Sequence, residues 1–242
     1  MNEEIKATAI SDSKLGLFPS LTPQNIETIE NEILQDQIYG DNGNDRELKT
    51  FFKNNRSNTD RDIVIHKILL IDYTNSTQLQ RHKRDFSVFA LADRLLSMQN
   101  LDEDIKNGDI SLVRRISKQP IVYHRSNVSS IVGKESNQKE INLFSFASKF
   151  CHYHNRICYG RDDYSIFDHV VAFAISKKYL SSVKYSTIEN YRQSSKYEEY
   201  HDLITKIINK YNLGQIENIR YKLDHFLWYP NKKYYYTRNK NK

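Results

Sequence analysis

Only 7 glycines and 4 prolines interrupt 242 residues, and no sustained polar–apolar alternation or internal repeat accompanies them. Strands need turn residues at frequent intervals, and solenoids need a repeat, so the chain is left with helices as its main material. The reading is an all-α protein.

Local signals place the helices. Thr22-Pro23 has the form of an N-cap followed by a first-turn proline, and Ile26, Ile29, Ile33 and Leu34 then recur at helical spacing until GDNGND at 40–45. The run 60–77 carries Ile63, Ile65, Ile68, Leu69 and Tyr73; it is rich in β-branched residues, but its length favours a buried helix over a strand. Phe86, Phe89, Leu95 and Leu96 form an apolar stripe expected in the core. A Ser/Asn-rich loop is expected over 123–139, and later helices over 168–180, 197–211 and 216–228, with Asn-Leu-Gly at 212–214 as a stop.

Composition narrows the class. Twelve per cent aromatic residues is too many for a disordered chain. No apolar run reaches the roughly 18 residues of a membrane span, and two cysteines cannot supply a secreted-type disulfide framework. A cytoplasmic monomer that does not enter membranes is expected. Charge is segregated: residues 1–60 hold 6 Lys/Arg and 11 Asp/Glu, whereas residues 177–242 hold 14 and 6. The basic end is the one expected to meet a polyanion, with the acidic end a solvated face away from it.

The chemistry concentrates in residues 141–175, INLFSFASKFCHYHNRICYGRDDYSIFDHVVAFAI. Leu143 to Lys149 followed, 19 residues after the lysine, by Asp168 in the context Ile166-Phe167-Asp168 resembles the helix-hairpin-helix DNA glycosylases of the 8-oxoguanine type. Within these the chain looks most like a divergent bacterial group with that fold. In the family a Leu-Pro-Gly-Val-Gly-x-Lys hairpin leads into a helix and a Pro-Val-Asp opens the next. Here Ser145 and Ala147 stand at the hairpin glycines, Phe144 at the proline and Ile166 at the second proline. Small residues at 145 and 147 still leave room for close approach to a phosphate. The run IRYKLDHFLWYP resembles the group's closing helix, and places Asp224 and Trp228 on one face.

The resemblance implies a helical glycosylase-like domain over 60–230, an acidic N-terminal helical extension over 1–59 and a basic aromatic tail over 231–242. It implies excision of a damaged or modified base from double-stranded DNA, such as an 8-oxoguanine-like purine or a hypermodified phage base, without a cofactor. Lys149 and Asp168 are the expected catalytic residues. A carboxylate beside C1′ stabilises the oxocarbenium character of the transition state, and an amine could attack C1′ and lead on to lyase chemistry. The target nucleotide must leave the stack, so a base pocket is expected, with Phe146, Tyr153, Trp228 and Tyr229 as candidates, Tyr153 and Trp228 foremost. Ser145, Phe146, Ala147, Ser148 and His169 are the expected DNA contacts.

Other readings stay open. A DNA-binding module on the same fold could lack catalysis, and a protein-interaction scaffold would lack DNA affinity altogether. Cys151, His152, His154 and Cys158 could suggest zinc, but the spacing matches no standard site and neighbouring helical residues diverge. Buried cysteines with partly exposed histidines, and no metal, are expected. Tyr234, Tyr235 and Tyr236 beside Lys232, Lys233 and Arg238 suit either stacking and phosphate contact or a solvated tail.

Overall fold

The computed structural model describes residues 11–39, 44–75, 77, 79, 87–120 and 140–240. Twelve α-helices carry these residues: α1 (Pro23–Gln35), α2 (Asn44–Asn54), α3 (Arg61–Asn75), α4 (Val88–Ser97), α5 (Leu101–Asn107), α6 (Ser111–Ser117), α7 (Phe144–Tyr159), α8 (His169–Ala174), α9 (Tyr185–Gln193), α10 (Tyr197–Lys210), α11 (Ile219–Trp228) and α12 (Lys232–Lys240). A π-helical turn, Ile175–Tyr179, prolongs α8. A short antiparallel ribbon, β1 (Lys118–Pro120) with β2 (Glu140–Asn142), bridges α6 to α7 in the register Lys118↔Asn142 and Pro120↔Glu140. No described helix is long and apolar enough to cross a membrane.

The helix ends follow the residues that cap them. Thr22 Oγ1 accepts from Asn25 N with Pro23 in the first turn, and Asn212, in the left-handed region at φ 54°, follows α10. The 60–77 segment is the helix α3, but its core face is Val64, Lys67, Ile68 and Ile71. Leu69 and Tyr73 are 47% and 76% exposed. Phe89 likewise turns outward at 57% exposure beneath the Arg61 guanidinium, while Leu91, Ala92 and Leu95 take the core positions of α4. Phe86 and the stretch 123–139 lie outside the described residues.

Helix α7 is the axis of the fold. Twelve of its 16 residues are buried, because α2, α3, α5 and α6 all pack on it. The buried set includes polar residues, each tied to the main chain of another element. His154 bonds Asn58 Nδ2 and the Arg56 carbonyl, His152 bonds the Tyr164 carbonyl, and Asn155 donates to the Ile105 carbonyl. Burial and the nearby Lys67 ammonium push His154 down to about 4, so it serves as a neutral spacer. The two histidines are therefore not partly exposed; a main-chain carbonyl partner for each, Tyr164 for His152 and Arg56 for His154, draws them inside. Cys158 Sγ donates to the Phe52 carbonyl, so these side chains are spent on separate elements instead of converging.

Residues 11–39 close over the C-terminal helices. Helix α1 packs along α11 with Ile26, Ile29 and Ile33 buried at the contact. Ser11 Oγ donates to the Pro230 carbonyl, Phe18 N to Asn231 Oδ1, and Tyr179 OH to the Pro19 carbonyl. Glu27, Glu30 and Asp36 meet Lys222, His225 and Tyr229. The acids expected to face solvent thus include several that pair with the basic end of the same chain. The segment expected as a tail forms helix α12, anchored by buried Lys232 and packed on α8.

Candidate active site

Lys149 occupies the second turn of α7 and Asp168 the N-cap of α8. The sequence separates them by 19 residues; the fold brings Lys149 Nζ within 3.6 Å of Asp168 Oδ2, with the two side chains 5% and 20% exposed. Asp168 has extended backbone angles, φ −138° and ψ 146°, and its Oδ1 accepts from Val170 N at 2.8 Å. One carboxylate oxygen therefore caps a helix while the other faces the ammonium. Lys149 Nζ also donates to the main-chain carbonyl of Asn75 at 3.1 Å. Asn75 ends α3, where unpaired carbonyls and the helix dipole favour a cation.

A set of side-chain bonds fixes the segment that delivers Asp168. Ser145 Oγ donates to the Phe167 carbonyl, Phe167 N donates to Ser148 Oγ, and Ser148 Oγ in turn donates to the Ser145 carbonyl. Tyr200 OH donates to the Ile166 carbonyl, and Tyr197 OH bonds both main-chain groups of Ser165. Phe144 and Phe167 meet edge to face at 5.3 Å beneath these bonds. Every residue from 165 to 167 is thereby held before the chain turns at Asp168.

These contacts correct the expected roles of residues 143–149. Leu143 is the N-cap residue and α7 starts at Phe144, so the stretch is helix instead of a hairpin loop. Among the described residues none of 143–149 has positive φ. With side chains at the glycine positions, the left-handed turn is disfavoured and the backbone continues as helix. Ala147 and Ser148 are fully buried, which removes their side chains from any surface that DNA could touch as the structure stands, and Phe146 is buried but for an edge on the cavity described next. Ser145 and His169 remain at the surface, on the wall of a cavity of about 110 Å³ shared with Thr77, Asn142, Leu143, Phe146 and Arg192. His169 and Arg192 both bond Glu189, at 2.8 and 3.0 Å; burial opposes ionisation of that carboxyl, but its two partners hold it below the usual carboxylate range.

The expected base pocket is occupied by the protein itself. Tyr153 is buried, one turn beyond Lys149, and donates from its hydroxyl to Asn75 Oδ1 at 2.7 Å. Trp228 receives the edge of Tyr39 at 5.1 Å, and Lys232 Nζ lies over its ring at 4.5 Å. The same ammonium lies over Tyr39 and Tyr229 at 3.7 and 4.2 Å and faces Asp12 at 3.5 Å.

Two further residues join the site. Asn75 receives both Lys149 and Tyr153, and nothing in the local sequence marks it out. Asp224 lies on the α11 face that meets α8, and its Oδ1 is enclosed without a hydrogen-bond partner among the described residues. Burial, against the opposing charge of His225, pushes its carboxyl up to about 7; Asp168 adds to the rise and Lys149 counters it. Its signal in the sequence is an acid in the middle of the apolar run of α11.

The structure defines a mostly helical protein in which a buried lysine, Lys149, meets a half-buried carboxylate, Asp168, at the junction of α3, α7 and α8. The family model described as HI_0787_N, N-terminal domain, matches residues 25–158, more than half of the chain, and the protein belongs to that family. Lys149 falls inside the matched stretch; Asp168 and Asp224 fall beyond it. A protein of Haemophilus influenzae (strain ATCC 51907 / DSM 11121 / KW20 / Rd), named "Uncharacterized protein", is 30% identical over 108 residues, 45% of this chain and 46% of the relative. The alignment spans about half the length of that relative. No solved structure matches the chain.

Proposed function

We propose that this protein is a DNA N-glycosylase of the helix-hairpin-helix type, excising a modified base from double-stranded DNA in repair or in defence against phage. The observation that supports it best is the meeting of Lys149 and Asp168, with Asp168 at a helix N-cap, in the arrangement that the resemblance implies. In this reading Asp168 is the fixed anion beside C1′. Its cap bond and the main-chain bonds before it hold it in place, so little reorganisation accompanies the transition state. Lys149, released from Asp168 and Asn75 and deprotonated, attacks C1′ in a lyase route; otherwise water attacks and Lys149 orients Asp168.

The cavity walled by Ser145 and His169, about 110 Å³, does not include Lys149 or Asp168, and the Lys149 side chain is only 5% exposed. A flipped nucleotide would reach the amine only as side chains around it move. That enclosure of the lysine favours a second reading, a DNA-binding module in which the pair is a structural clasp.

Duplexes carrying 8-oxoguanine, other oxidised purines or hypermodified phage bases separate the two. A borohydride-trapped adduct that vanishes in Lys149→Gln supports the lyase route. Alkali-labile sites without trapping, lost in Asp168→Asn, support attack by water. Salt-dependent binding with neither product leaves the module, and no DNA binding at all removes both readings.

A further inference from the structure

The charges around Asp224 do not come out even. Five groups face it: Lys149 from α7, Asp168 at the start of α8, Tyr200 from α10, His225 from its own helix and Glu30 from α1. Two of the cations are already engaged. Lys149 stands against Asp168 at 3.6 Å, and His225 Nδ1 stands 2.8 Å from Glu30 Oε1. Asp224 is the carboxyl left over, with one oxygen enclosed and unbonded among the described residues, and its neighbours Leu223, Phe226 and Leu227 buried. An enclosed carboxylate oxygen without a hydrogen-bond donor, facing cations already engaged by other acids, is expensive, and a proton removes most of that cost.

We infer that Asp224 is the proton donor to the departing base, the acid of the site, while Asp168 stays capped and paired with Lys149. The inference rests on the glycosylase reading above and adds a role and a substrate class to it. Two carboxyl groups in one site do different work when their surroundings separate them: one is capped and ion-paired, the other has an enclosed oxygen with no hydrogen-bond partner among the described residues. In the step proposed, the bond between C1′ and the base nitrogen breaks and its electron pair goes to the base. The Asp224 proton passes to a ring acceptor of the base, which leaves neutral. A water oxygen bonds to C1′, and the proton it sheds restores Asp224 through solvent. In the lyase route the nucleophile is the Lys149 amine instead, and its lost proton makes the same return.

An acid at this position is useful only for bases that are uncharged when bound, since they would otherwise leave as anions. The substrate class is therefore neutral oxidised purines or neutral hypermodified bases, in place of N-alkylated bases that already carry positive charge. Because burial pushes this carboxyl up to about 7, the acid is in its working form below neutrality.

The test is single-turnover excision between pH 5 and 9 on a duplex carrying the neutral base that the wild type releases, for the wild type, Asp224→Asn and Asp168→Asn. The wild-type rate is expected to fall as pH rises through about 7. Asp224→Asn is expected to be slower by on the order of 10²-fold at pH 6, with that falling limb gone. Asp168→Asn is expected to lose rate at every pH. Asp224→Glu, which restores a proton on a longer arm, should regain a falling limb, and it carries the test if the asparagine variant does not fold. A wild-type rate and pH profile retained in Asp224→Asn overturn the acid role and leave the glycosylase reading standing. No excision by the wild type from any duplex overturns the glycosylase reading and the inference with it.

Discussion

Lys149 Nζ rests on the main-chain carbonyl of Asn75, 3.1 Å away, at the end of a helix that begins fourteen residues earlier at Arg61. The ammonium is thus shared between a helix C-terminus and the Asp168 carboxylate. Both partners attract a cation, so the fold stores the lysine in a form that binds charge and releases it only when the site opens.

Replacement of Asp168 separates its two tasks. Asp168→Ala removes the cap of α8 and leaves Lys149 without a carboxylate, at a cost of about 3–5 kcal/mol. Asp168→Asn keeps a good capping side chain and should cost about 1 kcal/mol less. Urea unfolding of the two variants reads the difference; equal losses would mean that the cap bond contributes nothing.

Asp224 makes stability depend on pH in the direction opposite to an ordinary paired carboxylate. Its folded value, about 7, lies above its value in the unfolded chain. Between about pH 4 and 7 the folded protein therefore holds a proton that the unfolded chain has lost, and stability falls as pH rises through that window. Asp224→Asn should match the wild-type melting temperature below pH 4, gain on it steadily up to about pH 7 and keep the advantage above. A constant offset between the two melting curves at every pH would refute this.

How much of this was legible beforehand can be judged residue by residue. That Lys149 and Asp168 would meet was legible from their 19-residue spacing, which the fold closes to a 3.6 Å contact; what the pair does is not written there. Thr22, Pro23 and the isoleucines of α1 announced their helix by local chemistry. What one sequence could not show was which side of a helix would be covered. Leu69, Tyr73 and Phe89 are apolar yet exposed, while Lys67 is charged and fully buried, donating to the Ser57 carbonyl and Asn58 Oδ1. Asn75 was invisible because it acts through its carbonyl, which every residue has.

Residues 11–39 look separable in the sequence and are integral in the structure. Ile29 is fully buried at the contact between α1 and α11, so Ile29→Ala should cost about 2–5 kcal/mol in urea unfolding. A detachable extension would lose less than 1 kcal/mol.

Trp228 is the single tryptophan of the protein, and it reports on Lys232. Burial pulls the Lys232 amine down to about 8, with Asp12 opposing. Its charge over Trp228, Tyr229 and Tyr39 should vanish as pH rises through 8, changing the fluorescence, and Lys232→Met should abolish the transition. Stability should rise over the same interval, from about pH 8 to 10.5, because the unfolded lysine still holds its proton there. A fluorescence step that persists in Lys232→Met would assign it to another group.

The clasp between α1 and α11 also orders events during synthesis. Lys149 leaves the ribosome before Asp168, and Asp168 before Asp224, while the helix that must cover α11 has been waiting since the beginning. Pairings this distant along the chain slow the search for the native state. Until α11 finds α1, the isoleucine face of α1 has nothing to cover it, so a nascent or C-terminally truncated chain should expose Ile26, Ile29 and Ile33.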